Sequence, residues 1–419
     1  MIVYKFGGAS VRDAWGIRNL TDIVRKVTGG LVIVVSAFGK TTNALERVLK
    51  EWFNSGENWL QYLEESTDYH LQIINDLGLT GGAVETRFLK EVNGLKQYLE
   101  AGVKGDYDLE YDQVVSYGEI WSTIVVAGYL NQEGVNTEWV DIREVLLTDT
   151  RYRDAGVQWD TTLSGVRQRF DSSFAQRYLT QGFIGSTAGG RTTTLGREGS
   201  DYTAAILANM LDATGVVVWK DVPGLLNADP KWLSDAVPLG SVSYKEAVEI
   251  TFSGAKVIHP KTIKPLHNKS IPLFVRSFLD PEAPGTSVVP ETAAAPDVPV
   301  FIRKEEQIMI SILPRDFSFA ISENLSRIFM ILTDSGIKVN LVQASAVSIN
   351  ICADNEGDRI REFMELMGDQ FRIVYNDGVE MITIRHYTPE AITRMTLGRE
   401  VLIEQRTRRA LRMVLREAG

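Results

Sequence analysis

Hydrophobic positions in the first part of the chain alternate between short continuous runs and helical stripes. Residues 2–6 form an apolar run that two glycines end, and we predict a buried strand there. Apolar residues then recur at helical spacing over 11–27, and 31–36 are a second β-branched run. A strand, a helix and a strand in this order predict a β-α-β unit in a parallel sheet that helices cover on both faces.

The same alternation continues to about residue 280. Predicted helices cover 44–53, 59–77, 84–99, 111–130, 201–211 and 244–251. Predicted strands cover 137–140, 183–186, 216–219 and 272–276. We therefore predict one α/β domain over 1–279, a three-layer sandwich around a mostly parallel central sheet.

The pattern changes after residue 279. Residues 280–299 contain five prolines and a run of three alanines, which is typical of a semi-extended linker. Residues 300–378 show the order β-α-β-β-α-β, which predicts a small ferredoxin-like domain. In 379–419 we predict a strand and then a helix from about Gly398 to the C-terminus, the start of a second such unit without its closing strands.

Composition excludes several classes of protein. The 419 residues are 44% hydrophobic and 23% charged, typical of a soluble globular chain, and the net charge is −10. No overall positive charge is present to attract nucleic acid or an anionic membrane. One cysteine excludes an internal disulfide, and no apolar run is long enough to span a bilayer. We expect a cytoplasmic protein without nucleic-acid or membrane partners.

The first candidate site follows the first predicted strand. Gly7 and Gly8 let the backbone approach a phosphate, and the next helix directs its positive N-terminal end to the same place. Lys5 adds an ammonium group at the end of the strand. Neither G-x-G-x-x-G nor G-x-x-x-x-G-K-[ST] occurs in the chain, so hydride transfer and a P-loop lose their main support.

The second candidate site is the segment Gly185–Asp201, which contains five glycines together with Arg191 and Arg197. A solvated surface loop is the alternative, but flexible linkers rarely combine arginine, threonine and glycine so densely before a helix. We interpret the segment as an anion site. Its hydroxyl groups would donate hydrogen bonds, Arg197 would bind a carboxylate, and Asp201 would bind a cation or an ammonium group.

Two later segments show weaker patterns. Residues 219–231 place Lys220, Asp221 and two Asp/Pro turns just past a strand, where open α/β sheets bind ligands, although turns without a function are equally plausible. In 253–260, Lys256 opens a helix, and we interpret His259 as a capping or packed residue. The four histidines show no metal-ligand spacing, so we assign no catalytic histidine and no protein-built metal site.

In this order the segments resemble the amino acid kinase superfamily, and within it the aspartate kinases, over essentially the whole chain. Residues 5–11 (K-F-G-G-A-S-V) resemble the family's opening K-F-G-G-T-S-V, and 190–205 (G-R-T-T-T-L-G-R-E-G-S-D-Y-T-A-A) resemble its most diagnostic run. Further resemblances lie at 35–37 with 42–43, at 118–119, at 221–224 with 229–230, and at 243–260. The ferredoxin-like tail resembles the family's ACT regulatory region.

The resemblance implies an enzyme that transfers the γ-phosphoryl group of ATP to the side-chain carboxylate of L-aspartate. The product is 4-phospho-L-aspartate, the first step of lysine, threonine and methionine biosynthesis. ATP and Mg²⁺ are the implied cofactors, and a homodimer through the ACT region is the implied assembly. The acceptor carboxyl has a pKa of about 3.9 and is already an anion at neutral pH, so no general base is needed.

The resemblance also implies roles for single residues. Lys5, Lys256 and Asp201 would be catalytic, with Lys5 on the γ-phosphoryl oxygens and Lys256 holding the nucleotide phosphates with Mg²⁺. The nucleotide would be bound by Lys5, Gly7, Gly8, Ser36, Lys220, Asp221, Leu226, Lys231, Lys256 and Val257. The substrate would be bound by Thr42, Glu119, Arg197, Ser200 and Asp201, with Arg197 on the α-carboxylate and Glu119 on the α-ammonium group.

The chain departs from the family pattern at three places. Glu198 stands where many relatives have glycine, which puts an anion beside an anion-binding loop. Lys220 stands where threonine is commoner, and we expect it to alter nucleotide preference. Because the second ACT unit lacks its closing strands in our interpretation, we expect feedback by lysine or threonine to be weak or absent.

The sequence gives less support to other functions. Another amino acid kinase could act on glutamate, acetylglutamate or a nucleoside monophosphate, but the ACT-like tail and the pair Glu119 and Arg197 favour aspartate. An amino-acid-sensing protein with a degenerate kinase domain is disfavoured by four intact residues, Lys5, Lys256, Arg197 and Asp201. The arginines of the predicted terminal helix suggest nucleic acid, but their apolar neighbours favour a packed helix. Length and the missing dinucleotide motif exclude a fused homoserine dehydrogenase.

Overall fold

The chain folds into two compact units, each formed from more than one segment. The computed structural model describes residues 1–170, 176–254, 258–290, 296, 298–315 and 324–418. The first unit comprises Met1–Leu225, Pro238–Val248 and Val257–Ala293, and the second comprises Leu226–Val237, Glu249–Lys256 and Ala294–Gly419. Residues 226–237 and 249–256, which the sequence predicted to lie in the catalytic domain, therefore belong to the second unit. No helix in these described ranges is long and apolar enough to cross a membrane.

Strands and helices alternate over residues 1–290. The strands described there are β1 (Ile2–Phe6), β2 (Leu31–Val35), β3 (Glu138–Val140), β4 (Leu147–Thr148), β5 (Arg177–Gln181), β6 (Ile184–Thr187), β7 (Thr192–Thr194), β8 (Val216–Lys220), β9 (Ser241–Ser243), β10 (Leu273–Ser277) and β11 (Thr286–Val289). The α-helices described there are α1 (Ala14–Arg25), α2 (Thr41–Phe53), α3 (Trp59–Asp76), α4 (Ala83–Glu100), α5 (Tyr107–Val115), α6 (Tyr117–Gln132), α7 (Trp159–Arg169), α8 (Gly199–Met210), α9 (Tyr244–Phe252) and α10 (Pro260–Asn268).

The first unit is built on a sheet with the strand order β3-β5-β2-β1-β8-β10-β11-β9. Its described pairs are parallel except that of β10 with β11. Helices pack on both faces, α6 against β2 and β5 and α8 against β1 and β2. All five residues of β2 are buried, as expected for a continuous apolar strand that is covered on both sides. The predicted α/β fold with a mostly parallel sheet is confirmed.

The second unit contains an antiparallel sheet with the order β13-β14-β12-β15-β17-β16. Its strands are β12 (Val300–Pro314), β13 (Val339–Ala344), β14 (Ile349–Asp354), β15 (Phe371–Arg385), β16 (Arg399–Arg406) and β17 (Ala410–Glu417). Its helices are α11 (Leu325–Asp334), α12 (Asp358–Gly368) and α13 (Pro389–Thr396). The predicted C-terminal ferredoxin-like, ACT-type region is confirmed.

The predicted C-terminal helix is wrong. Residues 399–417 form the antiparallel hairpin of β16 and β17, and β17 also pairs with β15. Leu411, Met413 and Leu415 of β17 pack into one apolar cluster, whereas Val414 packs into another. β17 is buried on both faces, so its apolar residues do not alternate with polar ones as they do in a half-exposed strand. Their spacing therefore resembles that of an amphipathic helix. The strands that the sequence analysis judged to be missing are therefore present.

Candidate active site

Lys5 lies in the middle of the parallel sheet, near the carboxyl end of β1. It is in register with Val34 of β2 and Val218 of β8. Its neighbour Phe6 belongs to the apolar core on one face of the sheet, so Lys5 points to the opposite face, where α8 packs. The side chain is almost fully buried. A lysine in this position needs a carboxylate partner.

Asp201, in the first turn of α8, is that partner. Its Oδ1 lies 2.5 Å from the Lys5 Nζ and its Oδ2 lies 3.2 Å from the Lys220 Nζ. Burial alone would raise the pKa of Asp201, but the charges of Lys5 and Lys220 keep it below its ordinary value. The carboxylate is therefore ionised and holds two ammonium groups. Removing one partner of such a buried pair typically costs about 3–5 kcal/mol.

The glycine turn after β1 packs directly on the turn after β2. A Cβ atom on Gly8 would lie 2.7 Å from the Ala37 carbonyl oxygen and 2.9 Å from that of Gly39. The Gly39 amide donates to the Gly8 carbonyl at 3.0 Å, and the Ser36 amide donates to the Phe6 carbonyl at 3.1 Å. A Cβ on Gly7 would lie 3.4 Å from the Lys5 Nζ. Backbone without side chains thus lines the space beside the Lys5 ammonium, as close phosphate binding requires.

Glu119 brings a second buried carboxyl group to the same region. It lies in the first turn of α6, and its Oε1 accepts a hydrogen bond from the Ala37 amide at 3.4 Å. Burial raises its pKa to about 8, although the Ala37 amide and the Lys5 charge act in the opposite direction. Among the described residues, its Oε2 has no hydrogen-bond partner. This oxygen is available to a ligand that donates a hydrogen bond.

The loop before α8 contains a residue with unusual backbone geometry. Glu198 has φ +53°, in the left-handed region where glycine is favoured, and directly precedes α8. Glycine adopts this φ without steric strain, which explains why a glycine suits the position of Glu198. Arg197 beside it is exposed, whereas Ser200 and Asp201 are buried in the first turn of α8. The guanidinium group of Arg197 can therefore meet a ligand that enters from solvent.

Other predicted residues have different surroundings. Lys256 and Val257 lie outside the described residues. Leu226 and Lys231 belong to the second unit, and Asp221 follows β8 directly. Thr42 is half-buried in the first turn of α2.

His259 accepts a hydrogen bond from the Lys261 amide at 3.2 Å, which confirms it as a helix-capping residue of α10.

Sequence reasoning missed two features of this site. The first is the Ala37 amide, which no side-chain pattern can reveal. The second is the contact between Lys220 and Asp201. That contact follows from the register of β1 with β8, because Lys220 is two residues beyond Val218, the partner of Lys5, and alternate residues of a strand share a face.

The site suits an anion better than a bare metal ion. Within the described part of the chain, no group of three or more His, Cys, Asp or Glu side chains is arranged to hold a metal. Both oxygens of Asp201 already contact ammonium groups. Two ammonium groups beside glycine turns suit an anion such as a phosphoryl group.

Comparisons with known proteins show which family the chain is similar to. Residues 1–277 match the Amino acid kinase family. The chain is 32% identical over 362 residues to lysine-sensitive aspartokinase 3 of Escherichia coli (strain K12), covering 85% of this chain and 79% of that protein. It is also 32% identical over 302 residues to bifunctional aspartokinase/homoserine dehydrogenase 1, chloroplastic, of Zea mays. That match covers 70% of this chain but only 32% of the maize protein.

Two crystal structures of E. coli aspartokinase III are similar over nearly the whole chain. The complex with lysine and aspartate (T-state) superposes with a TM-score of 0.83 at 27% identity, covering 99% of this chain and 95% of that one. The complex with aspartate and ADP (R-state) gives a TM-score of 0.81 at 26% identity, covering 99% and 96%. The similarity therefore includes both the parallel-sheet part and the C-terminal part of the fold.

Proposed function

The chain belongs to the aspartokinases of the amino acid kinase family, and from this premise we propose that it transfers the γ-phosphoryl group of ATP to the side-chain carboxylate of L-aspartate. The observation that carries the proposal is the carboxylate of Asp201, which holds the Lys5 and Lys220 ammonium groups beside a glycine turn. Similarity to proteins named aspartokinases, one of them bound to aspartate and ADP, supports the same conclusion.

The reaction needs charge neutralisation more than proton transfer. One oxygen of the aspartate side chain forms a bond to the γ-phosphorus while the bond between that phosphorus and the bridging oxygen of ADP breaks. The attacking carboxylate is already ionised near neutral pH, so no proton moves. Two anions must nevertheless approach each other, which positive charge at the transferring group makes possible. Lys5 is proposed for the γ-phosphoryl oxygens, with Lys256 on the nucleotide phosphates.

The nucleotide is proposed to lie over the glycine turns. The backbone at Gly7, Gly8 and Ser36 would approach its phosphates, because no side chain at Gly7 or Gly8 obstructs them. Lys220, Asp221 and Val257 remain proposed contacts for the rest of the nucleotide. Mg²⁺ would enter with ATP and be held mainly by phosphate oxygens and water, as is common for this ion; it would neutralise phosphate charge.

Aspartate is proposed to bind between Glu119 and Arg197. The Oε2 of Glu119, without a partner among the described residues, suits the α-ammonium group. The exposed guanidinium group of Arg197 suits a bidentate interaction with the α-carboxylate. Thr42, Ser200 and Asp201 complete the proposed set. The α-groups would thus be held apart from the reacting side chain, which sets its orientation.

Assembly and regulation belong to the second unit in this proposal. We propose a cytoplasmic homodimer formed through the ACT region. The expectation of weak feedback depended on missing strands, and β16 and β17 supply them. Lysine and threonine therefore both need to be tested as effectors.

A substrate panel tests the activity directly. Purified full-length chain with ATP and Mg²⁺ is offered aspartate, glutamate, acetylglutamate or UMP, and ADP release is measured with lysine or threonine added in turn. Trapping the acyl phosphate with hydroxylamine distinguishes transfer to a carboxylate from ATP hydrolysis. We expect turnover and trapped product with aspartate. ADP release with another acceptor and none with aspartate would exclude the proposed substrate.

A further inference from the structure

Asp112 is a fully buried carboxylate of α5 that the proposed reaction does not use. Its side chain accepts hydrogen bonds from two other segments of the chain. The Thr194 hydroxyl donates to Oδ1 at 2.6 Å, and the Thr194 amide donates to Oδ2 at 2.8 Å. The Arg153 amide lies 3.1 Å from both oxygens. These four contacts fill the acceptor capacity of a carboxylate, so Asp112 is built to hold the protein together rather than to contact a substrate.

The two segments that Asp112 joins are β7 and the loop after β4, and they also contact each other. Thr194 is the last residue of β7, and its carbonyl accepts a hydrogen bond from the Ala155 amide of that loop at 2.9 Å. Arg153 of the loop has φ +67°, in the left-handed region that residues other than glycine rarely adopt. Such a backbone persists only where its surroundings hold it. The hydrogen bond from its amide to Asp112 is one such restraint.

Arg197 lies in a turn that packs on the same loop. The turn follows β7, and in it the Gly199 amide donates to the Gly196 carbonyl at 3.0 Å, with Arg197 next to Gly196. A Cβ atom on Gly196 would lie 2.6 Å from the Oδ1 of Asp154 and 3.1 Å from the Arg153 carbonyl oxygen. The turn that carries the proposed substrate arginine is therefore supported by β7 on its N-terminal side and by the loop after β4 beneath it.

We propose that Asp112 is a positioning residue for aspartate binding, which fixes β7 and the loop after β4 and thereby sets the place of the Arg197 guanidinium group. The inference deepens the proposed function and rests on it, since Arg197 is there proposed to bind the α-carboxylate of aspartate. A guanidinium group binds a carboxylate through two parallel hydrogen bonds only in a narrow range of orientations. A loosened support should therefore weaken substrate binding more than it slows the chemical step.

Kinetic constants of Asp112→Asn test the inference at about pH 8, where the carboxylate is ionised because burial raises the pKa of Asp112 only to about 6. Asparagine keeps the size of the side chain but offers one acceptor oxygen in place of two. We expect KM for aspartate to rise by about 5- to 20-fold, with kcat and KM for ATP each within about 3-fold of the wild type. An unchanged KM for aspartate would overturn the inference, and so would an equal rise in KM for ATP, because the damage would then be general.

Variants of Thr194 remove one hydrogen bond of the same network. Thr194→Val deletes the hydroxyl that donates to Asp112 and keeps the shape of the side chain, whereas Thr194→Ser keeps the hydroxyl. We expect KM for aspartate to rise by about 3- to 10-fold in the valine variant and to stay within about 2-fold of the wild type in the serine variant. The same KM in both variants would overturn the inference. This pair also decides the question if Asp112→Asn does not fold in a thermal unfolding scan.

A double variant tests whether Asp112 acts through Arg197. If it does, adding Asp112→Asn to Arg197→Ala should raise KM for aspartate by no more than about 2-fold above that of Arg197→Ala alone. Increases that multiply would overturn the inference, because Asp112 would then affect aspartate by another route. Wild-type protein that does not phosphorylate aspartate refutes the proposed function itself, whereas active wild type with an unaffected Asp112→Asn refutes only the role of Asp112.

Glu110 offers a matched control on the same helix. It is also a fully buried carboxylate, and it accepts hydrogen bonds from the Lys104 and Gly105 amides at 2.6 and 2.7 Å and from the Tyr98 hydroxyl at 2.6 Å. These donors lie in α4 and in the loop before α5, so Glu110→Gln disturbs a comparable network that does not include β7. Its KM for aspartate should stay within about 2-fold of the wild type. A rise equal to that of Asp112→Asn would overturn the inference.

Discussion

The Glu119 carboxylate is fixed to the Ala37 backbone amide, which donates to its Oε1 at 3.4 Å, while its second oxygen stays without a partner among the described residues. A protein interior normally pairs such a group. Here the buried position raises the pKa of Glu119 to about 8. Near neutral pH most of the free protein therefore carries Glu119 in its protonated form, and an arriving ammonium group favours its ionisation.

Glu119→Gln should change how stability depends on pH. In the unfolded chain Glu119 loses its proton near its ordinary value of 4.5, but in the folded chain only near 8. Between these values the folded state binds more protons, so this group lowers the free energy of unfolding as pH rises. We expect the variant, relative to the wild type, to gain stability from about pH 5 to about pH 8.5 in urea denaturation. An equal difference between the two proteins in the free energy of unfolding at both pH values would contradict this prediction.

The same group should make aspartate binding depend on pH. Ionised Glu119 pairs with the α-ammonium group, so KM for aspartate should fall as pH rises from about 6 toward 8 in the wild type. In Glu119→Gln the KM should be higher, by about 10-fold or more, and nearly independent of pH over that range. Initial rates at saturating ATP measure both effects. A wild-type KM that does not change over this range would argue against Glu119 as the ammonium partner.

Lys5→Ala and Arg197→Ala should affect different kinetic constants. Lys5 is proposed to act on the transferring group, so its loss should lower kcat by about 10²- to 10³-fold with a modest change in KM for aspartate. Arg197 is proposed to bind the α-carboxylate, so its loss should mainly raise that KM, by about 10- to 100-fold. Exposed Lys26 provides a control, Lys26→Ala. Equal losses of kcat in both variants, with unchanged KM, would contradict this division of roles.

Gly8→Ala should damage both stability and ATP binding. The added methyl group would lie 2.7 Å from the Ala37 carbonyl oxygen, so the two turns would have to separate. We expect a loss of about 1–3 kcal/mol in the free energy of unfolding and a higher KM for ATP. A Cβ on Gly29 would have nothing within 4 Å, so Gly29→Ala should leave both nearly unchanged. Similar behaviour of the two variants would show that the turns tolerate a side chain at Gly8.

His70 should weaken the protein in acid. It is buried between the rings of Phe38 and Phe88, at 5.4 and 5.5 Å, and burial lowers its pKa to about 4. The unfolded chain binds a proton near 6.5, so the free energy of unfolding falls as pH drops from about 6.5 to about 4. In His70→Phe this fall, roughly 3 kcal/mol at most, should be absent. Denaturation midpoints at several pH values measure it, and parallel curves for both proteins would disprove it.

Much of the first unit could be predicted because its strands are apolar throughout. β2 is an unbroken run of leucine, valine and isoleucine and was assigned within one residue of its bounds. β5, with the sequence R-Y-L-T-Q, was not predicted, because arginine, threonine and glutamine hide its apolar character. It is nevertheless mostly buried, since it pairs with both β2 and β3. Its place in the sheet, not its composition, makes it a strand.

The candidate site was predictable where single residues have distinctive chemistry. Lys5 and Asp201 lie in recognisable segments, and they are in contact. The contact of Lys220 with Asp201 depends on the register of two parallel strands, which hydrophobic patterns do not define. The hydrogen bond from the Ala37 amide depends on how two turns approach each other. Such relations follow from tertiary packing and are not encoded in a local pattern.

The two long strands of the second unit have a mechanical consequence. β12 and β15 are fifteen residues each and pair from Val300 with Arg385 to Pro314 with Phe371, with register shifts between Lys304 and Met309 that divide the pairing into two regular stretches. Both ends of that sheet therefore contain residues of the same two strands. Within each regular stretch the strands cannot slip past each other, since a shift by one residue would turn the buried side chains of that stretch outward. Amide protons within one stretch should consequently become protected or exposed together.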